Sequence, residues 1–145
     1  GLYDGTIGAK AISIALKKVE LINNIGFWGV ISRGILCNIV VVLAVWMTYS
    51  ASDITGKLFS CWFPIMLFVL SGYEHSIANM FYLYIGMFLE GTITTSQIWL
   101  NNLIPVTIGN IIGGGVIVPI FYQMVFFQKI QSVDNEIEKV RKINL

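Results

Sequence analysis

From Leu58 to Leu89 the chain is apolar except for a few small polar residues and one adjacent pair, Glu74 and the sole histidine, His75. A straight helix over that run would reach about 48 Å at about 1.5 Å per residue, well past the ~30 Å hydrocarbon core of a bilayer. The run is therefore expected to break, and Ser71-Gly72 is the place, because glycine accepts non-helical backbone. Irregular backbone at membrane depth survives only where it lines a cavity or packs on protein. An ionisable side chain at that depth costs about 2.5 to 3.5 kcal/mol on insertion scales, so Glu74 beside His75 marks a candidate functional site.

The rest of the chain fits an all-α membrane protein. Only 12% of residues are charged and 56% are hydrophobic, whereas roughly a quarter of a soluble protein is charged. Three transmembrane segments are expected, at about 27–49, 58–89 (broken near 71–75) and 98–127. Residues 1–26 read as an outer-face connecting segment that lacks the apolar core and cleavage site of a secretory signal. Residues 129–145 read as an amphipathic tail from the spacing of Ile130, Val133, Ile137 and Val140. Its Lys129, Lys139, Arg141 and Lys142 lie just past a span, which places the carboxy terminus in the cytoplasm and residue 1 outside.

Several function classes drop out here. A net charge of +1 with no basic patch argues against nucleic-acid binding. Cys37 and Cys61 have no zinc-type spacing and read as small buried hydrophobes, so neither a metal nor another cofactor is expected. Asn110 reads as polar glue between helices, and Gly109 with Gly113 as a small-x-x-x-small packing pattern.

Four strings carry a specific resemblance: Arg-Gly-Ile-Leu-Cys-Asn at 33–38, Leu-Ala-Val-Trp-Met at 43–47, Gly-Tyr-Glu-His-Ser-Ile-Ala-Asn-Met-Phe at 72–81, and Asn-Leu-Ile-Pro-Val-Thr-Ile-Gly-Asn-Ile-Ile-Gly-Gly-Gly at 102–115. From about Trp28 to Val118 the chain resembles the carboxy-terminal half of the formate/nitrite transporter family of pentameric anion channels. The resemblance implies half of an aquaporin-like six-helix inverted repeat, a homopentamer in the cell (inner) membrane, and a need for the amino-terminal half. It also implies roles. His75 matches the central pore histidine, Phe68 an aromatic of one constriction and Asn38 a polar pore-lining residue, while Glu74 and Asn79 match supporting positions. The family's vestibule lysine maps less directly: the commonest spacing back from Arg33 lands on Ile22, and Lys18 is assigned on the reading of a small insertion, with Lys17 as fallback.

The chemistry expected of such a site is physical as well as familial. A small anion passing apolar rings sheds water, and an imidazole can compensate its charge by hydrogen bonding or protonation. An imidazole held out of water is neutral at rest, and an anion beside it favours its protonation. The leading expectation is a channel or proton-coupled transporter for small monovalent anions (formate, nitrite or hydrosulfide), with protons and membrane lipids as its other partners. The alternatives are a non-conducting half-length subunit of such a channel and, more remotely, a membrane-embedded enzyme using Glu74 and His75 as acid and base. The enzyme reading lacks any His-Glu-x-x-His or Gly-x-Ser-x-Gly motif.

Overall fold

The structure is a computed structural model that describes residues 5–143. Its regular elements are all helical, with no strand among the described residues. The first helix, α1 (Thr6–Ser50), bends at Gly26, whose φ of 73° and ψ of 168° an L side chain rarely adopts. Residues before the bend, expected as a connecting segment, are thus helical. Their lysines and Glu20 disguise a narrow stripe of small residues, Gly8, Ala15 and Val19, that is buried. Ala15 and Val19 join Leu83, Ile93, Ile98 and Leu103 in the apolar core.

Helix α2 (Ile54–Leu70) starts at Asp53, whose carboxylate accepts the Gly56 N–H at 2.9 Å, an ordinary N-cap that satisfies one orphan donor of the first turn. Helix α3 (Ser76–Glu90) ends at Gly91 in the left-handed region, φ 69°. Between α2 and α3 the chain leaves helical geometry, with Gly72 at φ 67°. A capping box of Thr94 and Gln97 then opens α4 (Thr95–Ile98). A π-helical stretch at Trp99–Leu103, α5 (Ile104–Asn110), a second π-helical stretch at Ile111–Ile117 and α6 (Val118–Ile143) follow without interruption.

Two helical stretches, Thr6–Ser50 and Thr95–Phe127, are long and apolar enough to cross a bilayer, and Ile54–Leu70 is apolar but shorter. The backbone of the expected amphipathic tail is helical to Ile143. Ile130 and Ile137 are exposed, but the side chains of Lys129, Val133, Lys139, Val140 and Arg141, on which that reading also depends, lie outside the described residues.

Glycines set how closely the two long rods approach. A Cβ on Gly109 would collide with the carbonyl oxygen of Ile31, and one on Gly113 with that of Ile35. On the facing side, a Cβ on Gly34 would lie 2.8 Å from the Val106 carbonyl oxygen. Backbone therefore packs on backbone along this seam, and asparagine side chains on one rod reach the carbonyls of the other. Helix α2 is different: of its seventeen residues only Ser60 is buried, and Phe59, Trp62, Phe63 and Leu70 are exposed. So large an apolar face calls for a lipid or protein cover.

The seam yields a direct test. Gly109→Ala forces the rods apart and is expected to destabilise the protein by about 1 to 3 kcal/mol, read as a lower melting temperature in detergent. Gly115→Ala, whose Cβ meets nothing nearer than 3.9 Å, is expected to leave the melting temperature unchanged.

Candidate functional site

Leaving the helix at Leu70 frees backbone donors and acceptors, and each unpaired group in a water-poor setting is costly. The N–H groups of Ser71, Gly72 and Tyr73 fold back onto the carbonyls of Leu67, Val69 and Phe68 at the end of α2, and the groups beyond them pair with residues far away in sequence. The Glu74 N–H donates to the Arg33 carbonyl at 3.4 Å, and the Arg33 guanidinium donates to the Gly72 carbonyl at 3.4 Å. Asn110 supplies several more. Its Oδ1 accepts the Ser76 N–H and the Ser76 hydroxyl, both at 3.0 Å. Its Nδ2 donates to the Gly34 carbonyl at 2.9 Å and to the Glu74 carbonyl at 3.0 Å. Since backbone N–H only donates and C=O only accepts, these partners fix which way the amide points.

His75 is the N-cap residue of α3, with φ −111° and ψ 117°. Its Nδ1 accepts the Ala78 N–H at 3.4 Å, so in the neutral ring the proton resides on Nε2. Nε2 has no hydrogen-bond partner among the described residues. The ring is half-buried and stacks on Phe68, with centroids 5.9 Å apart and planes at 28°. The expected constriction aromatic and the histidine therefore lie face to face across the break. Asn38, on α1, donates from Nδ2 to the Asn110 backbone carbonyl at 2.7 Å.

Glu74 turns the other way and is buried, 4% exposed. Lys18 Nζ donates to both of its oxygens, at 3.0 and 2.9 Å. Asn79 Nδ2 donates to Oε2 as well as to Asn102 Oδ1, the latter at 2.8 Å. Asn102 Nδ2 in turn donates to the Lys18 carbonyl at 3.1 Å and to Glu74 Oε2 at 3.5 Å. Every buried side-chain nitrogen and oxygen among the described residues has a partner. Lys18, expected as a vestibule cation, is thus engaged with a carboxylate, whereas Lys17 is exposed. A cleft of about 510 Å³, lined by Lys17, Lys18, Asn24, Arg33, Gly72 and Glu74 among others, leads from the first half of α1 to the break.

Sequence reasoning did not single out Asn102, nor give Asn110 more than a packing role. A signal was present in both cases: an asparagine in an apolar run needs a partner. Asn102 lies inside one π-helical stretch and Asn110 abuts the other, and π turns recur at functional sites because they re-aim side chains. The geometry leaves Glu74 poorly suited to proton transfer, since its carboxylate is saturated by three side chains. It leaves His75 Nε2–H as the available donor. No three His, Cys, Asp or Glu side chains come together among the described residues.

Residues 1–124 match the formate/nitrite transporter family. A probable formate transporter of Methanothermobacter thermautotrophicus is 47% identical over 103 residues, covering 71% of this chain and 36% of that protein. The formate channel FocA of Escherichia coli K12 is 40% identical over 114 residues, covering 66% of this chain and 40% of the channel. Among solved structures, a pentameric formate channel with formate bound superposes with a TM-score of 0.71 at 36% identity, over 83% of this chain and 52% of that one. The chain spans less than half the length of these two curated relatives.

The charge cluster makes its own prediction. Lys18→Met leaves the Glu74 carboxylate buried without a counter-ion and is expected to cost about 3 to 5 kcal/mol of stability. Adding Glu74→Gln removes the orphaned charge, and the double variant is expected to recover most of the loss in the same melting experiment.

Proposed function

Because the chain belongs to the formate/nitrite transporter family, we propose that it forms one half of a pathway for small monovalent anions across the cell membrane. The observation that carries this reading is the free Nε2–H of His75, held at a helix break beside Phe68. An anion arriving there has lost water and accepts a hydrogen bond from the imidazole. Hydrogen bonds to charged groups contribute about 1.5 to 3 kcal/mol, enough to offset part of the desolvation. For the anion of a weak acid, a proton taken from water while the anion is held on the Nε2–H of His75 provides a neutral form that crosses the apolar zone and releases the proton on the other side, so flux is coupled to protons and the imidazole keeps its own proton. Formate, nitrite and hydrosulfide satisfy the requirement of small size and single negative charge.

Each named residue has a role in this scheme. Phe68 narrows the passage next to the ring, and Asn38 lines it from α1. Lys18 binds the buried carboxylate of Glu74, and Asn79 supports that carboxylate from α3, so that the charge next to His75 is compensated. Lys17 and Arg33 outweigh Glu20 in the cleft and raise the local anion concentration.

The half-length match and the exposed face of α2 support a wider arrangement. Helices α2 and α3 form the middle of three crossings, residues 27–128 are the membrane region, and the carboxy terminus is cytoplasmic. An amino-terminal half of inverted topology covers α2 and supplies the other wall of the passage, and five such units assemble as in the pentameric relative. The relatives are transporters and channels, which points away from an enzyme.

Proteoliposomes containing this chain together with an amino-terminal half from a relative test the reading. They are expected to take up formate, and His75→Asn is expected to reduce uptake by about 10- to 100-fold and to flatten its pH dependence. Wild-type flux and pH profile in the variant would remove His75 from the pathway. Absence of uptake from a properly assembled wild-type sample would favour a non-conducting subunit.

A further inference from the structure

We propose that Asn110 is the positioning residue for His75: one side-chain amide grips the backbone on both sides of the histidine and so fixes the direction of its ring. The Asn110 Nδ2 holds the carbonyl of Glu74, the residue before His75, and Oδ1 holds the N–H of Ser76, the residue after it. The two bonds, each 3.0 Å long, span the peptide units that set the φ and ψ of His75. A third, from Nδ2 to the Gly34 carbonyl at 2.9 Å, anchors the amide to α1. Asn110 is itself 6% exposed, so little water is at hand to replace it.

The grip matters because a break in a helix is otherwise soft. The first N–H groups of α3 have no partner within the helix. The Ser76 N–H is satisfied by Asn110, and the Ala78 N–H by His75 Nδ1. The second bond is long, at 3.4 Å, and forms only while the backbone keeps the ring over the helix start. Asn110 thus acts on the ring through the backbone. With the clamp in place, Nδ1 is committed to the cap and the proton is committed to Nε2. Without it, the ring is free to leave the cap and the proton exchanges between the two nitrogens. Asn110 joins the distal rod to α1 through Gly34 and, beyond that, brackets a single residue from both sides. The functional consequence rests on the reading of His75 as the group that meets the anion, but the clamp is tested without any flux.

His75 is the only histidine, so histidine labelled with nitrogen-15 reports one imidazole. In the full chain in lipid nanodiscs, the unmutated protein is expected to show a single neutral tautomer, protonated on Nε2. Asn110→Ala is expected to lose that single signature and show both tautomers in exchange. Gly113→Ala, which strains the same helix contact without touching the clamp, is expected to keep the wild-type nitrogen signals despite a lower melting temperature. Wild-type signals in a folded Asn110→Ala protein would overturn the proposal, as would equal scrambling in Gly113→Ala. Should Asn110→Ala not fold, the unmutated chain decides: the clamp requires the Ser76 amide proton to exchange with solvent more slowly than that of Ile77, and the reverse order overturns it.

Discussion

An interrupted helix in an apolar setting has to settle its backbone hydrogen bonds somewhere, and that demand organises this protein. Between Leu70 and Ser76 the chain leaves the helix; its first N–H groups fold back onto α2, and the groups that cannot do so are met by Arg33 from α1 and Asn110 from the distal rod. Asn110 lies beside the place where the rods approach backbone to backbone, along Gly34 and Gly109. The small-residue seam brings the rods together, and the polar clamp at the break sets the orientation of His75.

The same break separates two electrostatic tasks that adjacent residues would otherwise confuse. Glu74 points into the protein and is neutralised by Lys18 with two asparagines, while His75 turns to cap α3 and stack on Phe68. A bare carboxylate next to the imidazole would repel any anion that approached it. Sequestering that charge in a closed hydrogen-bond network leaves the histidine as a neutral donor. In a low-dielectric setting such a network stabilises only when every member is satisfied, and among the described residues this one is.

How much of this was legible in the sequence depended on range. The all-helical class followed from composition, and the helix break is where Gly72 permits it, because a run too apolar and too long for one crossing has a local remedy. The resemblance to the transporter family rested on contiguous strings and agrees with the family match. What escaped were pairings across long stretches of chain. Lys18 and Glu74 lie 56 positions apart, and no spacing rule connects them. The helix before Gly26 was masked by its lysines, since its buried stripe is made of small residues with little hydrophobic signature. Asn110 read as helix glue and Asn102 drew no role, because a π turn, which re-aims a side chain, is not written in local propensity.

In the proposed pathway the imidazole of His75 faces a passage reachable from water and meets the permeant anion there. Diethyl pyrocarbonate, which carbethoxylates neutral imidazole, tests this on the assembled protein in vesicles, with the modified peptide read by mass spectrometry and only one histidine to modify. The account predicts that His75 reacts, that formate slows the reaction in a saturable way, and that uncharged formamide at the same concentration does not. A histidine that stays unmodified in the folded assembly, or reacts at a rate indifferent to formate, would contradict it.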